Sequence, residues 1–391
     1  LISNFLAILL QHLSIKLGVV TGRDLASISQ RYPPMLRRFL WIMAEIAITA
    51  CDLAEVIGSA IALNLLFKTP LFLGVLITSA DVLLLLLLQR RGLRYLEALI
   101  ISLIAVISVS FGIEIFLSRP DIIELLKGYI PDPQIVFNVE KLYLAIGILG
   151  ATVMPHNLYL HSALVQSRNF RRSDKGKREA ITYATVDSII ALTLALFVNS
   201  AILILAAATF FRNGMSSVAE IGEAHRLLSP LLGTGLAGFL FALALLASGH
   251  NSTVTGTLAG QVVMEGFVRI KLAPWQRRLL TRLMAIVPAM VIIWFYGDSG
   301  LAKLLIFSQV VLSMQLPFAV IPLVFLTISK VYKAYRMDKK DKMGEKEKTN
   351  SVRWIKYGAI SYALLILSHN AQAMLFTPLI LLFMFLLILS V

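Results

Sequence analysis

The segment ATVMPHNLYLH, residues 151–161, lies inside a long apolar run and yet carries a proline, two histidines and a methionine. Pro155 has no backbone N–H, so it cannot donate the helical hydrogen bond to the carbonyl of Ala151, and its ring pushes that carbonyl aside. An unpaired carbonyl is costly in hydrocarbon unless another group binds it. The segment therefore predicts a membrane helix that is broken here, with Gly150, Pro155 and Asn157 marking the break.

The sequence on both sides of this segment has the composition of an integral membrane protein. Of its 391 residues, 58% are apolar and 15% are charged, and the mean hydropathy is +0.81. Soluble domains contain about 25% charged residues, and apolar runs long enough to cross a bilayer recur throughout this chain. About eleven apolar spans are predicted, at residues 1–17, 39–66, 71–89, 94–117, 142–167, 182–210, 231–266, 279–297, 300–329, 354–368 and 374–391.

The charges of the connecting loops alternate along the chain. Every second loop is rich in lysine and arginine, as the positive-inside rule requires of a chain that crosses the membrane back and forth. We therefore expect a single multi-pass domain over residues 1–391 in a plasma membrane, with a basic cytoplasmic loop at 330–353 and two further helices at 354–391. The net charge of +14 is then explained by cytoplasmic anchoring, and no nucleic-acid partner is needed. Short loops without glycosylation acceptors on the opposite side favour a bacterial membrane.

Three carboxylates lie on the second span, where ionisable groups are costly and so mark candidate functional sites. Glu45, Asp52 and Glu55 fall within about 80° on one helix face. One interpretation is a path for protons or ions, since close carboxylates repel one another and one of them then tends to hold a proton. The other is that they neutralise buried arginines, and Arg282 lies deep enough in its span to pair with them.

The broken segment offers the donors of a cation site. The freed carbonyl of Ala151 and the thioether of Met154 would suit Mn²⁺, Fe²⁺, Co²⁺ or Cd²⁺ better than Mg²⁺ or Ca²⁺, which prefer oxygen ligands only. The alternative is that Met154 simply fills a gap in the core. His156 and His161 are five positions apart and do not share a helix face. They either relay protons and support the site, or are ordinary hydrogen-bonded interior histidines.

Four segments carry a resemblance to a known family. GATVMPHNLYLHSALVQSR (150–168) and ASGHNSTVTGTLAGQVVMEGF (247–267) resemble signature segments of the Nramp family of proton-coupled divalent-metal transporters, although His250 and Asn251 stand where Gln and Ser are more usual. LLIFSQVVLSMQLPFAVIPLV (304–324) and QHLSIKLGVVTGRDL (11–25) are similar to the family as well.

This resemblance implies an all-α integral membrane protein, a LeuT-type inverted-repeat helical bundle with a broken sixth helix. Residues 1–117 would be the remainder of the first repeat and 142–329 the second. The implied activity is import of Mn²⁺, Fe²⁺ and related metals with protons, without a prosthetic group or an obligatory protein partner. The implied metal ligands are Ala151, Met154 and Gln309, and the implied proton path comprises Glu45, Asp52, Glu55, His156 and His161, to which the pairing argument adds Arg282.

One departure from the family is expected to matter. The family's first helix carries an Asp-Pro-Gly-Asn motif that supplies two metal ligands, and this motif does not occur in the sequence. We therefore expect a chain that lacks the first helix and transports poorly by itself. Less favoured alternatives are a sodium-coupled amino-acid or amine symporter of the same fold, a passive channel, and an intramembrane metalloenzyme, for which the sequence lacks a His-Glu-x-x-His motif.

Overall fold

A computed structural model describes residues 1–78, 93–130, 135, 137–215, 218, 220–268, 274–296 and 299–338, and within these residues every regular element is helical. Residues 71–78 form part of a helix that precedes α4. The other helices are α1 (Ile2–Thr21), α2 (Leu25–Ser29), α3 (Pro34–Phe67), α4 (Leu93–Ser118), α5 (Ile122–Gly128), α6 (Val139–Thr152), α7 (Pro155–Ser167), α8 (Asp174–Thr209), a 3₁₀ turn (Phe211–Asn213), α9 (Ile221–Leu232), α10 (Leu236–Val268), α11 (Pro274–Tyr296) and α12 (Ser299–Asp338).

The long helices are apolar enough to cross a membrane. Six stretches in the described residues meet this criterion by length and hydropathy, and they lie in α1, α3, α4, α8, α10 and α12. Large apolar side chains such as Phe116 and Trp294 are each 81% exposed. Such surface is stable in lipid and would be unfavourable in water. The predicted spans at 354–368 and 374–391 lie outside the described residues.

Several helix ends differ from the sequence prediction. The span expected from residue 182 begins at Asp174, because the Ser173 side chain accepts a hydrogen bond from the N–H of Gly176 and caps the helix inside a basic loop. Likewise α12 continues to Asp338, past residue 330, where we expected the loop to begin. Charge indicates the side of the membrane, but it does not by itself end a helix.

The expected loops also contain short helices. Asp24 caps α2 by accepting from the N–H of Ser27, and Asp121 caps α5 by accepting from Ile123 and Glu124. We expected a loop over residues 211–230, and this segment contains most of α9. The two side-chain caps explain where α2 and α5 begin.

The core places α3 and α10 side by side and sets α6 and α7 among α1, α3, α10 and α12. Close approach depends on glycine, since a Cβ at Gly249 of α10 would overlap the Ser59 hydroxyl of α3. In the same way, a Cβ at Gly18 of α1 would overlap the Ser162 carbonyl of α7. Tyr159 of α7 is fully buried in the main core cluster. The short helix α7 is therefore an interior element, held on several sides.

Candidate functional site

The helix break expected from the sequence is present between α6 and α7. Helix α6 ends at Thr152 and α7 begins at Pro155, while Met154 has an extended backbone with φ −67° and ψ 113°. The Val153 N–H donates to the Leu149 carbonyl at 2.8 Å, which closes α6. Because proline lacks a donor, α7 cannot return a hydrogen bond from its first residue to the end of α6.

Oxygen and sulfur donors are concentrated at this break. Ala151 and Met154 are both half-buried. The Asn157 amide donates to the Met154 sulfur at 3.5 Å, which fixes the thioether beside the break. The Asn157 amide oxygen is buried and has no hydrogen-bond partner among the described groups. The carbonyl, the thioether and this amide oxygen are therefore supplied within seven consecutive residues.

Helix α12 packs directly against the upstream side of the break. A Cβ at Gly150 would overlap the backbone carbonyl of Gln309 and come within 2.8 Å of the Ser313 nitrogen. The Gln309 side chain donates to the Ser308 hydroxyl at 3.1 Å. Gln309 is thus adjacent to the break through its backbone, and a role for its side chain in metal binding stays a prediction.

A buried charge cluster joins α3 to α11. The Arg282 guanidinium lies 3.6 Å from a carboxylate oxygen of Glu55 and 3.9 Å from one of Asp52. All three side chains are at most 3% exposed, so the pairing that the sequence left open is present. The same guanidinium donates to the Thr253 hydroxyl at 3.2 Å and to the Thr78 carbonyl at 3.4 Å.

The third carboxylate of the expected stripe is separate from this cluster. Glu45 is partly exposed and accepts a hydrogen bond from the Trp41 indole at 3.1 Å. Within the cluster, the Cys51 thiol donates to Glu55 at 3.4 Å. The three acids share a helix face, but Arg282 reaches only the two that lie deepest.

The two histidines of α7 occupy different environments. His156 is fully buried, and neither ring nitrogen has a hydrogen-bond partner among the described residues. The described residues thus give no support to the interpretation of His156 as an ordinary hydrogen-bonded interior histidine. Helix α3, which carries Asp52, packs against α7, which carries His156. His161 is only half-buried, as expected for a residue on another face of the helix.

Some polar contacts could not be found from the sequence. Thr78 and Thr253 lie more than 170 positions apart on different helices, and no spacing rule relates either of them to the guanidinium that they contact. Like Asp81, Glu97 and Asp187, Glu114 is an isolated acid in the sequence, which indicates a satisfied polar residue or a helix-end group. It is instead fully buried, and neither carboxylate oxygen has a partner among the described groups. Asp187 does have a partner, an exposed ion pair with Arg168 at 2.8 Å. Asp81, which was grouped with them, lies outside the described residues.

The described side chains also limit which groups can bind a metal ion. Among the residues that the structure covers, no three His, Cys, Asp or Glu side chains are close enough together to hold an ion. A cation site in this part of the chain would therefore need donors besides these side chains, and the carbonyl, amide and thioether groups at the break are of that kind.

Comparison with known proteins identifies similar chains. A family model described as "Nramp: Natural resistance-associated macrophage protein-like" matches residues 1–345. The chain is 61% identical over 325 residues to a protein named divalent metal cation transporter MntH from Xanthomonas campestris, covering 83% of this chain and 73% of that protein. It is 54% identical over 378 residues to a protein of the same name from Listeria innocua, covering 96% and 82%. A crystal structure of an Eremococcus coleocola manganese transporter superposes with a TM-score of 0.78 at 38% identity, covering 100% of this chain and 85% of that one.

Proposed function

This chain belongs to the Nramp family, and from that premise we propose that it imports Mn²⁺ and Fe²⁺, and also accepts Co²⁺ and Cd²⁺, with protons moving alongside. It is a multi-pass membrane metal transporter and not an enzyme, and its fold is the LeuT-type helical bundle of the family. The relatives named above are bacterial. Membership of this family also decides against the amino-acid symporter, the passive channel and the intramembrane metalloenzyme.

The break between α6 and α7 carries the proposal for the metal. Discontinuous helices with exposed backbone carbonyls bind ions in many secondary transporters. The Met154 sulfur adds a soft donor that Mg²⁺ and Ca²⁺ do not favour. The hydrogen bond from Asn157 to this sulfur supports a fixed thioether instead of a mobile one that fills space. We therefore assign the Ala151 carbonyl and Met154 as ligands, and Asn157 as the residue that positions the thioether.

The buried acids of α3 carry the proposal for the proton. Asp52 and Glu55 both lie within 4 Å of one guanidinium nitrogen of Arg282, and all three side chains are almost fully buried. Close carboxylates repel each other and a buried charge is costly, so a proton on one of the acids would lower both costs. His156 follows Pro155 directly, and α7 packs against α3, so His156 is the group that we expect to connect the cluster with the break.

The test of the metal assignment is uptake of radioactive Mn²⁺ into proteoliposomes in competition with Ca²⁺ and Cd²⁺. Met154→Leu keeps the side-chain volume and removes the sulfur, so Cd²⁺ should compete less well and Ca²⁺ better. Met264→Leu, at a buried methionine of α10, is the matched control and should leave the order of the metals unchanged. Unchanged selectivity in Met154→Leu would remove the sulfur from the site.

The test of the proton assignment is acidification of the vesicle interior during Mn²⁺ uptake. Asp52→Asn should move fewer protons per metal ion, while Asp187→Asn, which changes an exposed ion pair, should not. Both assays are made with this chain in proteoliposomes. That the family's Asp-Pro-Gly-Asn motif supplies two metal ligands stays a prediction.

A further inference from the structure

A cavity of about 350 Å³ lies beside the turn between α1 and α3, away from the break and the charge cluster. Its polar lining comprises Arg23, Arg31, Arg37, Ser27 and Gln30, and its apolar wall is the end of α10 at Phe267 and Val268. Among the described residues, no acidic side chain contributes to this lining. From this arrangement we propose that the cavity binds a phosphate group, presented by the headgroup of an anionic phospholipid or by a soluble phosphate.

The guanidinium groups of the cavity form no ion pair with an acidic side chain in the part of the chain that the structure describes. None of the described acidic side chains lies within 4.0 Å of a guanidinium of Arg23, Arg31 or Arg37. The nearest acid in sequence, Asp24, is engaged in capping α2, where it accepts from both the N–H and the hydroxyl of Ser27. Burial raises the pKa of Tyr32 to about 12, so this phenol stays neutral beside Arg31. Three guanidinium groups thus face the cavity with hydrogen-bond donors available for an anion.

A second basic segment adds to this potential. The position of a Cβ on Gly22, in the turn after α1, lies 3.5 Å from a guanidinium nitrogen of Arg172. Arg172 belongs to the sequence RNFRRSDKGKR, which the positive-inside rule places on the same side of the membrane as this turn. The field at the cavity is therefore that of two basic segments, and it favours an anion over a neutral ligand.

The walls of the cavity are also held in place. The Gln30 amide donates to the Gly266 carbonyl at the end of α10, and a Cβ on Gly266 would overlap Ala26 of α2. The polar side of the cavity is thereby joined to its apolar wall, where Phe267 is only 2% exposed. A cavity built on fixed elements loses less entropy on binding than a group of free surface arginines would.

The surroundings allow a lipid headgroup to reach the cavity. Arg37 lies in the first turns of α3, between Leu36 and Phe39, which are 42% and 41% exposed. An arginine flanked by exposed apolar side chains at the start of a spanning helix is at the level where phospholipid phosphates lie. Basic pockets between spanning helices on the cytoplasmic side bind anionic headgroups in other membrane proteins.

The experiment measures binding to the detergent-solubilised chain by titration calorimetry. The probes are short-chain phosphatidylglycerol, short-chain phosphatidylcholine and inorganic phosphate. If phosphatidylglycerol binds more tightly than phosphatidylcholine, the phosphate group comes from a lipid. If inorganic phosphate binds about as tightly as phosphatidylglycerol, the phosphate group comes from a soluble ligand. In either case Arg37→Gln should weaken the binding about fivefold, and the double variant with Arg31→Gln about twentyfold or more.

Arg38→Gln is the matched control, since Arg38 is the exposed neighbour of Arg37, carries the same charge and does not line the cavity. It should change the affinity less than twofold. If Arg37→Gln and Arg38→Gln weaken anion binding equally, binding depends only on the overall positive charge of this surface, and the proposal fails. It also fails if neither anion binds more tightly than phosphatidylcholine. Neither failure bears on metal transport, which these measurements do not involve.

Discussion

Replacement of Arg282 by methionine should be the most destabilising single change in the buried charge cluster. Methionine has a similar length and no charge, so Asp52 and Glu55 would lose the guanidinium that both of them contact. Both lie within 4 Å of the guanidinium and are almost fully buried. Removing one partner of a buried ion pair costs about 3–5 kcal/mol. At about 2 °C per kcal/mol, this predicts a fall in Tm of about 6–10 °C.

The prediction is sharpened by variants that differ in buried charge but not in size. Asp52→Asn keeps Glu55 and Arg282 as a neutral pair, so its loss should be below about 1 kcal/mol. The triple variant Asp52→Asn, Glu55→Gln, Arg282→Met has no charge at these three positions and should recover most of the stability lost by Arg282→Met alone. Arg178→Met, at an exposed cation of α8, is the control. Thermal unfolding in detergent measures all four. If Arg282→Met and Asp52→Asn unfold at the same temperature, charge imbalance does not govern this cluster.

Three further changes test the packing and the break. Gly150→Ala should lower the free energy of unfolding by about 1–3 kcal/mol, because the new methyl group overlaps the backbone of α12. Gly112→Ala is the control and should leave stability unchanged, because a Cβ there meets nothing within 4 Å. Equal Tm values for the two variants would contradict the overlap. Pro155→Ala restores a donor that can bond the Ala151 carbonyl, so Mn²⁺ affinity in calorimetry should fall about two- to tenfold without a loss of Tm, and unchanged affinity would argue against that carbonyl as a ligand. Thr253→Val removes a contact of the buried guanidinium and should reduce the protons moved per metal ion, whereas Thr253→Ser should retain them.

The break was predictable because its cause is local. A proline inside an apolar run removes a specific hydrogen bond wherever that run lies in the protein. The sequence shows both the proline and the apolar run, so no knowledge of the packing is needed. The same holds for the spans, which follow from the length and the hydropathy of each segment. The start of α8 was missed by eight residues, because the helix begins at the Ser173 cap and not where the apolar run begins.

The charge cluster was predictable only in part. The acids of α3 share a face by helical geometry alone, which is a short-range property. Whether Arg282, some 230 positions away, would reach them depends on how α3 and α11 pack, and the sequence left that open. It also could not tell that Glu45 would be separate, with Trp41 as its partner. Glu114 shows the same limit. The sequence shows a single acid within a span, but it does not show whether the surrounding residues offer hydrogen-bond partners to that acid.

Asp52 connects the two parts of the site that the sequence could only treat separately. It belongs to the cluster with Arg282, and its helix α3 packs against α7, in which His156 is the second residue. A divalent cation held by Met154 would place two positive charges near this carboxylate and would oppose a proton held on the cluster. The low local dielectric makes such coupling stronger than it would be in water. We therefore expect the coupling of metal and proton to depend on Asp52 more than on Glu45, so that Asp52→Asn changes the protons moved per metal ion and Glu45→Gln does not.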